Sequence, residues 1–236
     1  AGATIVIDGE YEFELLGEVV PDGERVDVML RLSPGVKPDT HDHISTGQLD
    51  SKFGFSIESG AARRAVEQAL AHPRLELVGL HSHIGSQIFG LGAYEHAMSI
   101  MLDLLVRLRD DLDYEPRKLG AGGGLGIAYT RHDDPPTPRD FVQVVHHALV
   151  VGCAQRGLRV PQLVVEPGRS IAGPAGMALY TVGSIKDIPG VRRYVAVDGG
   201  MGDNIRPKLY GARYEAYLAS DPDHSPDGMV TIAGKY

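Results

Sequence analysis

Apolar positions along the chain switch repeatedly between two periods. Short runs rich in β-branched residues, Ala3–Ile7, Val26–Leu32, Leu75–His83, Arg117–Ala121 and Gln162–Glu166, predict strands. Between them lie helix-like stretches. Tyr11–Val20 is the first, and Ser59 is placed to cap a second that runs to about Ala71. Met98, Met101, Leu102, Leu105, Leu108 and Leu112 fall on one face of a third. Thr137 and Pro138 look like the cap and first-turn proline of a fourth, whose face carries Phe141, Val144, Val145, Ala148 and Gly152. The polar stretch from Pro34 to Ser56 predicts a long loop. Strands alternating with helices predict a parallel sheet. After Gly168 the pattern changes: Ala178–Ile185 and Val191–Val197 predict strands with short connections, and so a mainly β second domain. A closed eight-stranded barrel takes about 250 residues. The five strand–helix units here are therefore either an open sheet or part of a barrel.

Composition narrows the functional classes. Of 236 residues 43% are apolar and 23% charged, and the net charge of −8 leaves no basic footprint for nucleic acid or an anionic membrane. No apolar run approaches the roughly 20 residues of a membrane span. The opening AGATIVIDGE has no basic n-region, so it does not read as a signal peptide; it reads as a strand that begins inside a domain. The lone Cys153 has no partner for an internal disulfide, which fits a reducing compartment and a cytoplasmic location. Glycine, 30 residues and clustered, points to loops in which the backbone does the binding.

Three strand ends carry candidate chemistry. Gly122-Gly123-Gly124-Leu125-Gly126 follows a short strand; it is either a tight turn or a loop whose amides approach an anion. No Gly-Lys-Ser/Thr follows it, and the acidic residue of a dinucleotide fingerprint is lacking. Glu166-Pro167-Gly168-Arg169 ends the last parallel strand. Its opposite charges are either a surface ion pair or a carboxylate for a protonated ring nitrogen with an arginine for an anion. His81 and His83, two apart, point to the same side. They are hydrogen-bonded core histidines, a metal pair, or, for His83, an imidazole lying on an aromatic cofactor with Ser86 donating to a phosphate. A metal would need further histidines and an aspartate on later strands, which end instead in glycines and Glu166, so no metal is expected. Val197–Gly211 is rich in turn formers; within it Arg206 and Tyr210 are good carboxylate donors, although a plain surface loop has the same composition.

Taken together, HSHIGSQ (His81–Gln87), GGGLG (Gly122–Gly126), EPGRS (Glu166–Ser170) and VDGGMGDNIRPKLYGARY (Val197–Tyr214) resemble the diaminopimelate decarboxylases in order and spacing. The loop TGQLDSKFGF, Thr46–Phe55, is similar to the same family. The resemblance implies an alanine-racemase-like, pyridoxal-phosphate-dependent enzyme. Its fold class would be α/β: a partial (β/α)8 TIM barrel with about five of eight strands, residues 1–170, followed by part of a β-rich C-terminal domain, residues 171–236. Carried over by motif, His83 stacks on the cofactor ring, and Ser86, Gly123 and above all Gly124 hold its phosphate. Glu166 faces the pyridine nitrogen, and Pro167 and Gly168 accompany it in the cofactor set. Arg169, Arg206 and Tyr210 grip substrate carboxylate, with Arg169 also near the phosphate.

The implied reaction converts meso-2,6-diaminopimelate to L-lysine and CO2, the last step of lysine biosynthesis, in a homodimer with no nucleic-acid or membrane partner. Sister decarboxylases acting on arginine, ornithine or carboxynorspermidine are the alternative, as is a homologue without catalysis. The chain also departs from the family. No Tyr-x-x-Lys-Ala-Asn-like segment supplies the Schiff-base lysine, and Lys52 stands in a different motif. The family's catalytic cysteine, in Cys-Glu-Ser-Gly-Asp, is expected just beyond Gly234-Lys235-Tyr236; Cys153 is not that residue, and Ser82 stands where a cysteine is common. No catalytic residue is therefore assigned, three barrel units are expected before Ala1, and the chain alone is expected to be inactive.

Overall fold

Among the described residues of the first 170, six strands and four long helices build one parallel sheet with its covering layer. The structure is a computed structural model that describes residues 2–36, 52–225 and 228–235. Most of the loop expected at Pro34–Ser56, including Thr46–Ser51 of the family-like segment, lies outside the described residues. The elements in chain order are β1 (Ile5–Ile7), α1 (Tyr11–Val19), β2 (Val26–Ser33), β3 (Phe55–Ser56), α2 (Ala61–Ala71), β4 (Leu75–Ser82), α3 (Gly92–Leu112), β5 (Lys118–Gly120), α4 (Pro138–Arg156), β6 (Gln162–Val164), α5 (Gly168–Ala172), β7 (Val182–Ile188), β8 (Arg192–Val197), α6 (Arg206–Tyr210) and β9 (Thr231–Ala233).

The main sheet runs β1-β2-β4-β5-β6, all parallel, with β3 paired to the end of β2 at Leu32 and Ser33. This order is the five-stranded parallel sheet that the alternation predicts, and it is consistent with the partial barrel that the resemblance implies. The short β3 is an addition inside the expected loop; Phe55, buried against Phe13, ties it down. Every residue of β4 except Glu76 is buried, as expected for a sheet covered on both faces.

Helix packing follows the 3.6-residue stripe with one correction. The buried face of α4 is Phe141, Val145, Leu149, Gly152 and Cys153, whereas Val144 and Ala148 are only partly buried. Gly152 lets the helices approach there: a Cβ would lie 2.4 Å from Leu102 Cδ1 of α3, and that leucine would have to shift to admit it. Each leucine buried between the two helices contributes roughly 1.5–3 kcal/mol. Thr137 is the N-cap with Pro138 in the first turn, as the sequence predicts, and the structure adds a reciprocal capping box with Asp140, whose N–H lies 3.1 Å from Thr137 Oγ1. At α2 the expected cap is corrected: Gly60 is the N-cap, in the left-handed region, and the Ser59 hydroxyl accepts only from Ala61 N–H at 3.4 Å.

The chain divides into two compact units, one of Ala1–Ile127 and Pro135–Pro174, the other of Ala128–Asp134 and Ala175–Tyr236. Ala128–Asp134 thus packs with the second unit. Arg131 bonds Glu215 through both its backbone N–H, at 2.9 Å, and its side chain, at 3.0 Å, and Tyr129 packs edge-on against Tyr214 at 4.9 Å. The second unit holds a mixed sheet in which β7 and β8 are antiparallel and β8 and β9 parallel. The strand expected at Ala178–Ile185 starts only at Val182, and the turn-rich segment after Val197 contains the short helix α6. Among the described residues no helix is long and apolar enough to cross a membrane.

Candidate active site

Parallel strands feeding helices on the same side bring their carboxyl ends to one edge, where loops collect. Here β4, β5 and β6 deliver His81, Gly120 and Val164 at matching register. The His81 imidazole is 5% exposed, and its Nε2 lies 3.1 Å from Glu166 Oε1 and 3.2 Å from Oε2. An ionised carboxylate only accepts, so Nε2 carries the hydrogen. The ring's other nitrogen, Nδ1, is buried with no hydrogen-bond partner among the described residues. The Glu166 side chain remains 46% exposed, so the pair presents a charged group outward from a buried anchor.

His83, just past the strand end, is half-buried, and its Nδ1 accepts from the Gly123 N–H at 3.3 Å. Burial, and then the charge of Arg31, hold this imidazole below its ordinary pKa of 6.5. It is therefore neutral at neutral pH, suited to lie against a cationic ring without repelling it.

The glycine loop is fixed by its carbonyls. Gly122 O accepts from Glu166 N–H at 2.8 Å, Gly123 O from the Tyr94 hydroxyl at 3.1 Å, and Gly124 O from Ile88 N–H at 2.9 Å. In a trans peptide the N–H points opposite to the carbonyl. The amides of Gly124 and Leu125 therefore face away from these partners, and among the described residues neither has a bonded acceptor. Side chains would not fit: a Cβ would lie 2.0 Å from Glu166 O at Gly123, and 2.0 Å from Gly85 O at Gly124, where φ is also +93°.

Gln87 organises the neighbouring corner. Its φ is 60°, in the left-handed region, and its amide clamps Ile127, donating to the carbonyl at 2.6 Å and accepting from the N–H at 3.3 Å. The same Oε1 accepts from Arg169 Nη1 at 3.1 Å. Thus Glu166 and Arg169 do not pair with each other: the first is held by His81, the second by Gln87. Ser86 is exposed beside Gln87; Pro167 is half-buried and Gly168 exposed at the start of α5.

The first unit thus brings together His83, Ser86, Gly123, Gly124, Glu166, Pro167, Gly168 and Arg169. Two free amides and a guanidinium suit a phosphate; a neutral imidazole and an anchored carboxylate suit a protonated pyridine ring. A pyridoxal phosphate cofactor fits this donor set. Arg206 and Tyr210 belong to the second unit. There the Arg206 guanidinium stands over the rings of Tyr129, at 5.3 Å, and Tyr210, at 5.6 Å, and its Nε is buried with no bonded acceptor among the described residues. Lys52 has its ammonium 5.0 Å from the Phe53 ring. Cys153 is buried in the α3–α4 packing, which pushes its thiol pKa up and keeps it unreactive. Among the described residues no group of three or more His, Cys, Asp or Glu is placed to hold a metal ion.

Gln87 and Tyr94 are the participants that motif reasoning leaves without a role. Gln87 stands inside HSHIGSQ, while Tyr94 looks like one more apolar position of a helix.

Residues 2–173 match the family model described as the pyridoxal binding domain of pyridoxal-dependent decarboxylases. The chain is 46% identical over 232 residues to a diaminopimelate decarboxylase of Bacillus subtilis, covering 98% of this chain and 53% of that protein. The crystal structure of a diaminopimelate decarboxylase from M. jannaschii superposes with a TM-score of 0.83 at 32% identity, covering 99% of this chain and 52% of the other. A structure of that enzyme in complex with L-lysine matches equally well, again with a TM-score of 0.83. The chain thus spans about half the length of the relatives it matches.

Proposed function

The chain belongs to the pyridoxal-dependent decarboxylase family, and from that premise we propose that the whole protein decarboxylates meso-2,6-diaminopimelate. One bond from an α-carbon to its carboxylate breaks, CO2 leaves, a proton takes its place, and L-lysine remains. The observation that carries the proposal is the Glu166 carboxylate, anchored from below by His81 and set beside a neutral His83 and two loop amides that have no bonded acceptor among the described residues.

Pyridoxal 5'-phosphate, when bound, supplies a conjugated ring that accepts the electron pair left behind by CO2. Each residue then has a defined task. Gly124, the neighbouring loop amides, Ser86 and Arg169 bind the phosphate; Gly123, Pro167 and Gly168 shape the wall around it. His83 orients the ring by stacking. Glu166 holds a proton on the ring nitrogen, because a carboxylate nearby favours the charged form. Arg169, Arg206 and Tyr210 bind substrate carboxylate, a role for which a guanidinium fork is suited.

Similarity to the Bacillus subtilis enzyme supports the substrate, as does the L-lysine complex of the M. jannaschii relative. The same proposal assigns residues 1–170 to the cofactor barrel and 171–236 to the β domain, and makes the whole protein a cytoplasmic homodimer. The test is a substrate panel on the whole protein with pyridoxal phosphate, measuring CO2 and the amine product. Release from diaminopimelate alone is the expected result. Preference for arginine, ornithine or carboxynorspermidine would replace the substrate assignment, and release from none would remove the activity.

A further inference from the structure

The weakest point of a glycine loop is the peptide between two glycines. Neither neighbour has a Cβ to oppose rotation, so a flip of the Gly123–Gly124 peptide meets little intrinsic resistance. Such a flip would turn the Gly124 amide away from the site and put a carbonyl in its place. Among the described residues three hydrogen bonds hold the loop carbonyls, and two come from backbone amides. The third, from the Tyr94 hydroxyl to Gly123 O at 3.1 Å, is the side-chain bond, and it falls on that peptide.

Tyr94 is built for this one contact. It is the third residue of α3, only 3% exposed, and its ring packs edge-on against Phe141 of α4 at 4.8 Å and 66°. The hydroxyl therefore reaches the loop from two packed helices rather than from a mobile chain. Burial pushes its pKa above the ordinary 10, so it remains a donor.

We infer that Tyr94 is a positioning residue of the phosphate site: its hydroxyl locks the Gly123–Gly124 peptide so that the Gly124 amide faces the phosphate. The inference rests on the pyridoxal phosphate assignment above and adds to it a residue that never touches the ligand. It separates the phosphate from the rest of the cofactor, since Tyr94 supports the loop alone.

The experiment compares pyridoxal phosphate with pyridoxal, which lacks the phosphate, by equilibrium binding to the whole protein. Tyr94→Phe keeps the ring and its contact with Phe141. The expected result is about tenfold weaker binding of pyridoxal phosphate, the effect of one hydrogen bond, with pyridoxal affinity unchanged. Phe141→Leu loosens the packing but keeps the hydroxyl, so it should lower the melting temperature and retain the wild-type ratio of affinities. Hydrogen exchange on the wild type gives a reading independent of any variant: the Gly124 amide should be protected by pyridoxal phosphate and not by pyridoxal. Equal losses for both ligands in Tyr94→Phe, or no loss, would overturn the inference, as would a Gly124 amide protected by neither ligand. Wild-type protein without a preference for the phosphorylated ligand would instead overturn the cofactor assignment on which the inference stands.

Discussion

His81 reaches Glu166 across an intervening strand. His81 is the penultimate residue of β4, Glu166 follows β6, and β5 runs between them, yet Nε2 and Oε1 are 3.1 Å apart. The path exists because the residue between is Gly120, where a Cβ would lie 2.8 Å from His81 Cδ2. A buried imidazole thus fixes a carboxylate that is itself partly exposed.

Replacing His81 by Leu removes that anchor and frees the Glu166 side chain to turn into solvent. A hydrogen bond to a charged group is worth about 1.5–3 kcal/mol, so kcat should fall by roughly 10- to 100-fold with little change in KM. Gly120→Ala, which displaces the ring, should reproduce the effect. Steady-state kinetics on the whole protein reads both, and an unchanged kcat in His81→Leu would count against the anchor.

The glycines should separate into two classes. Gly123→Ala forces a Cβ to 2.0 Å from Glu166 O and should cost several kcal/mol of stability, together with cofactor binding. Gly168→Ala meets nothing within 4 Å and should fold and melt like the wild type. Thermal melts of the two variants make the comparison; equal melts would mean that the loop relaxes freely.

Gln87→Ala strips partners from Arg169 and from both polar groups of Ile127, and removes the side-chain amide that ties down a residue at a φ of 60°. A loss of about 1–3 kcal/mol is expected from the unpaired groups, with weaker phosphate binding. Gln87→Glu still accepts from Arg169 but no longer donates to Ile127 O, so it should retain phosphate affinity better than Gln87→Ala. Denaturant titration with and without pyridoxal phosphate distinguishes them.

His83 makes stability depend on pH. Its folded pKa lies below the ordinary 6.5, so near and below that pH the unfolded chain binds a proton that the native state refuses. Stability is therefore complete above about pH 6.5 and declines as the pH falls toward the folded value. His83→Gln should flatten that part of the curve, and melting temperatures followed from about pH 7.5 to about pH 5.5 will show it. A curve identical to the wild type would remove His83 as the source.

Much of this was legible in the sequence for a local reason. The period-2 and period-3.6 patterns of the first unit report burial directly, and Thr137 followed by Pro138 announces the start of α4. What was not legible depends on distant partners. Tyr94 matters because of a carbonyl 29 positions away, and Gln87 because of a residue 40 positions away. Neither contact leaves a periodic trace. The two-residue β3 is too short for alternation, and the α4 stripe shifts to Leu149 and Cys153 because the side that faces α3 is a tertiary choice. The sequence marks Glu166 as a candidate carboxylate of the site, but its holder, His81, lies in another motif across the sheet.

Glu166→Gln is the most direct measurement on the whole account. The amide keeps an oxygen for His81 and nearly the same volume, but loses the charge that, in the proposed function, retains a proton on the cofactor ring. Cofactor loading, read from absorbance of the bound pyridoxal phosphate, should equal the wild type, while decarboxylation of diaminopimelate by the whole protein should fall about 100-fold or more. Full loading with undiminished turnover would contradict the account, since Glu166 would then be scaffold rather than chemistry.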